Sequence, residues 1–104
     1  MGFIYLINEA GTANYKIGVT KAKTINKRKL ELQTGNSSEL ILCRKFETDY
    51  PYKLENMLHN HYHLKRLIGE WFSLDDVQAT SFIEVCQDKQ KLIEYLLKHN
   101  EFYT

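Results

Sequence analysis

The sequence predicts a small α/β domain, in a layered α+β arrangement with helices packed on a three-stranded sheet. Two segments rich in β-branched and aromatic residues flank a turn near the N-terminus. Strand-like and helix-like apolar patterns then follow, giving the order β-β-α-β-α. With 104 residues and 43% apolar composition, the chain is long enough for one hydrophobic core. We therefore expect a single domain, residues 1–104.

The first two strands are predicted to form an antiparallel hairpin. The segment "FIYLIN" begins it and "YKIGVT" returns, while "EAGTAN" makes the turn with Gly11 supplying backbone freedom. Residues 24–34 are expected to form a helix that Thr24 caps and Gly35 ends. The alternating apolar residues of segment 39–46 predict the third strand.

A second helix is predicted in "DYPYKLENMLHNHYHLKRL", because Pro51 suits the first turn, where its missing N–H does no harm. The segment "GEWFSL" is expected to be a short extended piece. A C-terminal helical extension, residues 75–104, follows the 1–74 core. Ser73 is its predicted cap, with Asp76 completing a capping box. Because "QDKQK" interrupts the apolar pattern, the extension is either one helix or two.

Several classes of protein are disfavoured by composition. No stretch approaches the length of a membrane span, and the N-terminus lacks the pattern of a signal peptide. Cys43 and Cys86 do not form a CxxC motif and are expected to be reduced thiols. We therefore expect an intracellular, cytoplasmic protein without a membrane partner.

The charge is unevenly distributed, although its net value is only +1. Between positions 16 and 29 the chain has no acidic residue and these basic ones: Lys16, Lys21, Lys23, Lys27, Arg28 and Lys29. A locally basic face is compatible with phosphate binding. Charge alone nevertheless favours the simpler interpretation, a solvated lysine-rich helix.

Five short motifs follow one another between residues 2 and 74. They are "GFIY", "YKIG", "KRKLELQTG", "LENMLHNHY" and "RLIGEWFSL", in that order. Their order and spacing resemble the GIY-YIG nuclease superfamily, and a Lys-Ile-Gly second signature is typical of a phage-associated branch of it. The combination is more specific than any single motif.

The resemblance implies a metal-dependent endonuclease that hydrolyses DNA phosphodiester bonds. Carried onto this sequence, it makes Tyr5 the general base and assigns Arg28 to the charge that develops on the phosphate. Glu55 would bind one divalent ion, Mg²⁺ or Mn²⁺. Because a domain of this size offers little surface for sequence recognition, specificity is expected from a homodimer, a partner protein or the structure of the DNA.

Lys16 stands where many members of the superfamily have a second tyrosine. If the hairpin register places Tyr5 opposite Lys16 or Gly18, their side chains share one face of the sheet. The ammonium would then lower the pKa of Tyr5 and could contact the scissile phosphate. Lys16 is accordingly a further catalytic candidate, and Gly18 is expected to allow either close backbone packing or the approach of the phosphate.

The helix that carries Glu55 presents His59 and His63 at i+4 and i+8. A zinc site is the weaker interpretation, because it needs further ligands. His59 is expected to be catalytic, as a partner of the metal's water or of a phosphate. The remaining substrate-binding candidates are Lys21, Lys27 and Arg66. Glu70 is considered as a group that orients Arg28 or Arg66.

Two alternatives belong to other functional classes. One is a nucleic-acid-binding module on the same fold with weak or no catalysis, favoured by Lys16 in the place of tyrosine. The other is a small interaction domain whose basic helix is only solvated surface. Each of the candidate residues, taken alone, is more often structural than functional.

Overall fold

The computed structural model describes residues 1–21 and 39–99 of the chain. The helix predicted at 24–34, with Lys27 and Arg28, lies outside these residues. The described part is built on a five-stranded sheet in the order β3-β1-β2-β5-β4, in which neighbouring strands are antiparallel. The strands are β1 (Gly2–Glu9), β2 (Asn14–Thr20), β3 (Leu40–Thr48), β4 (Arg66–Ile68) and β5 (Trp71–Ser73).

The prediction of a three-stranded sheet is therefore wrong. The extended piece "GEWFSL" contains β5, which pairs with β2, and β4 forms from the end of the segment predicted as the second helix. That helix, α1 (Pro51–His61), stops earlier than predicted and is followed by one 3₁₀ turn, His63–Lys65. Gly69, with φ of +56°, then reverses the chain between β4 and β5. The antiparallel pairing makes the domain α+β.

The opening hairpin is confirmed, and its register is now defined. Tyr5 lies opposite Gly18, and Ile7 lies opposite Lys16. Gly11 has φ of +77° in the turn, as its predicted role requires. The Asn8 amide donates to the carbonyl oxygens of Thr12 and Asn14, both at 3.0 Å, which fixes the turn between the strands.

The two faces of the sheet carry different clusters. The larger core lies on the face of Ile4, Leu6 and Ile17, where Leu54 and Leu58 of α1 pack. The opposite face carries a smaller cluster of Tyr5, Ile7 and Leu40, with Phe3, Leu42 and Trp71 packed against it. Because side chains alternate along a strand, Lys16 and Gly18 share this second face with Tyr5. The second face therefore brings the predicted catalytic residues of the hairpin together.

Two helices form the described part of the C-terminal extension: α2 (Asp76–Thr80) and α3 (Phe82–His99). The predicted cap at Ser73 is wrong. The Asp75 carboxylate accepts from the Gln78 backbone N–H at 2.7 Å, and the Gln78 side chain accepts from the Asp75 N–H at 3.0 Å. The helices separate at Ser81, whereas "QDKQK" continues α3, with Gln87, Asp88 and Lys91 exposed to solvent. Among the described helices, none has the length and apolar character needed to cross a bilayer.

Candidate functional site

The Tyr5 side chain is completely buried beneath the second face of the sheet. It lies across Gly18 of the neighbouring strand, and a Cβ built at position 18 would overlap the phenol oxygen and the ring. Real Cβ atoms do not approach other atoms this closely. The absence of a side chain at Gly18 therefore leaves the space that the phenol of Tyr5 occupies.

Lys16 lies two residues before Gly18 and on the same face of the sheet. Its side chain is only 13% exposed, and its Nζ forms an ion pair with Oε2 of Glu70 at 3.0 Å. The ammonium also lies 5.8 Å from the centre of the Trp71 ring, a cation–π distance. Glu70 itself is fixed by its backbone, because its carbonyl oxygen accepts from the N–H of Ile17 at 3.0 Å.

The suggested contact of Glu70 with Arg66 does not form. Arg66 Nε instead donates to the carbonyl oxygen of Gly69 at 2.6 Å, while the Glu70 carboxylate forms an ion pair with Lys16. The turn that places Gly69 beside Arg66 also directs the Glu70 backbone towards β2. Arg28, the other suggested partner of Glu70, is outside the described residues.

Glu55 extends from α1 into the same charged cluster. Partial burial raises its pKa to about 7, and the negative charge of Glu70 and a hydrogen bond with it act in the same direction. Lys16 opposes this effect. Two carboxyl groups thus crowd one ammonium, and the site binds a proton more readily than an exposed carboxylate would.

The Glu55 carboxyl group fits a divalent cation. Its Oε2 atom is buried and has no hydrogen-bond partner within the described part of the chain. Mg²⁺ and Mn²⁺ prefer carboxylate oxygens, and Mg²⁺ is commonly held by one or two carboxylates while keeping several waters. A cation at Glu55 would satisfy this buried oxygen and relieve the repulsion from Glu70.

His59 connects α1 to the edge of β2. Its Nε2 lies 3.0 Å from the carbonyl oxygen of Ile17, and because a carbonyl can only accept, Nε2 carries the proton. Its ring lies 5.2 Å from the ring of Phe72. One ring nitrogen is thus engaged in packing the helix against the sheet, and Nδ1 remains for the predicted contact with a metal-bound water or phosphate.

The predicted alignment of His63 with Glu55 and His59 is wrong. α1 ends at His61, so His63 lies in the exposed 3₁₀ turn, with Nδ1 at 2.7 Å from the carbonyl oxygen of Asn60. Across residues 1–21 and 39–99, no group of three or more His, Cys, Asp or Glu side chains is placed to hold a metal. The zinc interpretation has no ligand set in this part of the chain.

The register adds a cation that the sequence motifs do not indicate. Lys45 of β3 lies opposite Tyr5, on the side away from Gly18, and its Nζ is 5.9 Å from the centre of the Phe3 ring. Lys45 is exposed and shares the face of Lys16. The only signal for it is the pairing of β1 with β3, which a local sequence pattern does not contain.

The remaining substrate-binding candidates lie around this cluster. Lys21 follows β2, and its Nζ is 5.2 Å from the centre of the Tyr52 ring at the start of α1. It is three residues beyond Gly18, a separation of about 10 Å along an extended chain. Arg66 lies in β4 at the far edge of the sheet. Lys27 lies outside the described residues.

A family comparison adds to these structural observations. The T5orf172 domain matches residues 2–94. The chain belongs to the T5orf172 domain family. That domain is related to the GIY-YIG and HNH-like nuclease folds, and it suggests a phage-type nuclease or nucleic-acid-binding module. The chain matches no curated protein and no solved structure.

In this T5orf172 domain, Lys16 links three kinds of chemical group, because it shares a face of the sheet with Tyr5, pairs with Glu70 and is electrostatically coupled to Glu55 of α1. Tyr5 supplies a phenol, Lys16 supplies an ammonium, and Glu55 and Glu70 supply two carboxyl groups. A phenol can exchange a proton, an ammonium can stabilise an anion, and a carboxylate can hold a hard metal. These are the capabilities that phosphodiester hydrolysis requires.

Proposed function

We propose that this T5orf172 domain is a GIY-YIG-type endonuclease that hydrolyses DNA phosphodiester bonds with one Mg²⁺ or Mn²⁺ ion. The proposal depends chiefly on one observation. Lys16 shares a face with Tyr5 and is also electrostatically coupled to Glu55, so one ammonium joins the proposed base to the proposed metal ligand. A hairpin stabilised only by packing would need no ammonium in that position.

Tyr5 is the general base in this mechanism and accepts a proton from the attacking water. Since a free tyrosine has a pKa near about 10, a neighbouring cation is needed to favour the phenolate. Lys16 is proposed to fulfil this role and to contact the phosphate. Arg28 would stabilise the negative charge that grows on the phosphate oxygens, for which its planar guanidinium is well suited.

Glu55 is the proposed metal ligand. When bound, the ion would polarise a phosphoryl oxygen and assist departure of the leaving oxygen. Glu70 keeps Lys16 at the site by its ion pair, and His59 keeps α1 against β2, so that Glu55 stays beside Lys16. Lys21, Lys27 and Arg66 are proposed to contact the DNA backbone, and a homodimer or partner protein to supply specificity.

A plasmid-nicking assay tests this function. Purified protein is incubated with supercoiled plasmid and Mg²⁺ or Mn²⁺, with EDTA as the metal-free control. Tyr5→Phe is expected to lower the cleavage rate by about 10²-fold or more, the usual contribution of a general base. Arg28→Ala and Glu55→Ala should also lose cleavage. The matched control is Glu84→Ala, an exposed acid on α3. Undiminished cleavage by Glu55→Ala would contradict the metal mechanism.

The second candidate is a nucleic-acid-binding module with weak or no catalysis. The burial of Tyr5 favours it, because the phenol is fully covered in this conformation and a substrate would need it uncovered. Salt-sensitive DNA binding without metal-dependent cleavage would select this candidate over the nuclease. Absence of both would favour an interaction domain.

A further inference from the structure

A segment with exposed aliphatic side chains connects α1 to β5. It spans residues 63–69, "HLKRLIG", and is called the tip segment below. Leu64 is 85% exposed, Leu67 53% and Ile68 78%. Lys65 and Arg66 lie between them and are exposed as well. The tip segment therefore presents aliphatic and cationic side chains together, without an acidic residue.

The tip segment includes β4, which forms an outer edge of the sheet. Proteins usually shorten, charge or cover such edges, because exposed apolar strands invite association. Here the edge is short and charged, yet two of its three residues are exposed aliphatics. This combination indicates a surface that binds a partner.

The strand register places the tip segment beside the candidate active site. Ile68 pairs with Trp71, Trp71 pairs with Lys16, and Lys16 pairs with Ile7. Residues directly opposite each other project to the same face, so Ile68 lies on the face of Lys16, two strands and about 10 Å away. A shallow hollow of about 240 Å³ lies beside them, bordered by Leu67, Ile68 and Trp71 and, on the side of the hairpin turn, by Glu9 and Asn14.

We propose that the tip segment is a duplex-DNA contact that inserts Ile68 and Leu67 into the minor groove beside the cleavage site. Lys65 and Arg66 contact the phosphates on either side of the groove. Aliphatic wedges flanked by basic side chains are a recurrent means of minor-groove binding, in which the wedge partly unstacks one base step. This inference rests on the proposed function, because it assigns the recognition of the DNA to the same face.

Charge favours DNA over a second copy of this chain as the occupant. Pairing of two tip segments would bury the aliphatic side chains, but it would also bring Lys65 and Arg66 of both copies together. Like charges that face each other across strands are destabilising. A polyanion neutralises the same cations and releases counterions on binding.

Two substitutions test the contact, Ile68→Ser and Leu64→Ser, with Val77→Ser on α2 as the matched control because Val77 is 75% exposed. Binding is measured with EDTA present, by anisotropy of a fluorescein-labelled duplex. Ile68→Ser should weaken binding about tenfold, because a buried aliphatic side chain contributes at least about 1.4 kcal/mol. A duplex containing 2-aminopurine should brighten with wild type, as a base step unstacks, and should not brighten with Ile68→Ser. Val77→Ser should match wild type in both measurements.

The outcomes separate this inference from the proposed function. If wild type binds and cleaves duplex DNA while both tip variants match it, the inference is overturned and the nuclease proposal stands. If wild type neither binds nor cleaves DNA, the proposed function fails, and the inference falls with it. If sedimentation shows a wild-type dimer that Ile68→Ser dissociates, the tip segment is an interface between copies and the inference is overturned. Should Ile68→Ser unfold, weaker binding by Leu64→Ser still supports the contact, and unchanged binding overturns it.

Discussion

Tyr5 and Gly18 lie opposite each other in β1 and β2, and the phenol of Tyr5 occupies the space that a Cβ at position 18 would take. The glycine of the second motif and the tyrosine of the first therefore form one packing unit. Of the two roles expected of Gly18, close packing and the approach of a phosphate, the structure shows close packing, which requires no ligand. The two motifs depend on each other sterically.

Replacement of Gly18 by alanine should destabilise the fold. The added methyl would displace the Tyr5 ring, which is completely buried and has little room to move. Overpacking of this kind lowers the free energy of unfolding by about 1–3 kcal/mol, measurable by urea denaturation. In a Tyr5→Ala background the same substitution should cost much less, because the methyl enters vacated space. An equal loss of unfolding free energy in the two backgrounds would show that the Tyr5 ring is not what excludes a side chain at position 18.

The ion pair between Lys16 and Glu70 should contribute measurable coupling energy. Because both side chains are partly shielded from water, we expect a coupling energy of about 1 kcal/mol, near the upper limit measured for exposed ion pairs. The measurement is a double-mutant cycle with Lys16→Met and Glu70→Gln, followed by thermal denaturation at low and high salt. Strictly additive single effects would mean that the 3.0 Å contact does not stabilise the protein.

The pH dependence of stability should report on Glu55. In the metal-free protein its folded pKa is about 7, above the ordinary value of 4.5. Between these values the folded state binds a proton that the unfolded chain releases, so stability falls as the pH rises. The Tm of wild type should therefore decrease relative to that of Glu55→Gln over this interval. A constant difference would contradict the raised pKa, and Glu84→Gln is the control for an exposed acid.

The cap of α2 allows a test that is independent of function. Asp75→Ala removes a side chain that accepts from the Gln78 N–H, and it should lower the free energy of unfolding by about 1 kcal/mol. The adjacent Asp76→Ala is the control, because Asp76 lies in the first turn of α2 and makes no capping bond there. Chemical denaturation measures both. An equal loss from the two variants would place the effect in the helix dipole rather than in the cap.

Local sequence patterns predicted the hairpin and the start of α1, because alternation, Gly11 and Pro51 act over a few residues. They did not predict β4, since Arg66–Ile68 continues a helical pattern and three residues are too few to show a strand period. β5 forms a strand because β2, about 55 residues earlier, offers an unpaired edge. Pairing between distant segments therefore accounts for the error in the sheet.

The candidate site, like the fold, could be predicted from the sequence only in part. Tyr5, Lys16 and Glu55 were named from motifs, and the register confirms that Tyr5 and Lys16 share a face. The contact of Glu55 with Glu70 joins a helix to a turn, and the pairing of Lys45 with Tyr5 joins two strands that are distant in sequence. Neither relationship leaves a periodic signal in the sequence. The charge interactions of the site could therefore be identified only from the structure.

Trp71 is the single tryptophan of the chain, and it lies within cation–π distance of Lys16. When the indole is excited selectively, at wavelengths that the seven tyrosines do not absorb, the fluorescence of this protein therefore originates beside Lys16 and Glu70. A ligand that withdraws Lys16 from Glu70 would change the electric field at the indole and hence its emission. The protein thus contains a built-in optical reporter, by which titrations with metal or oligonucleotide can be followed without any label.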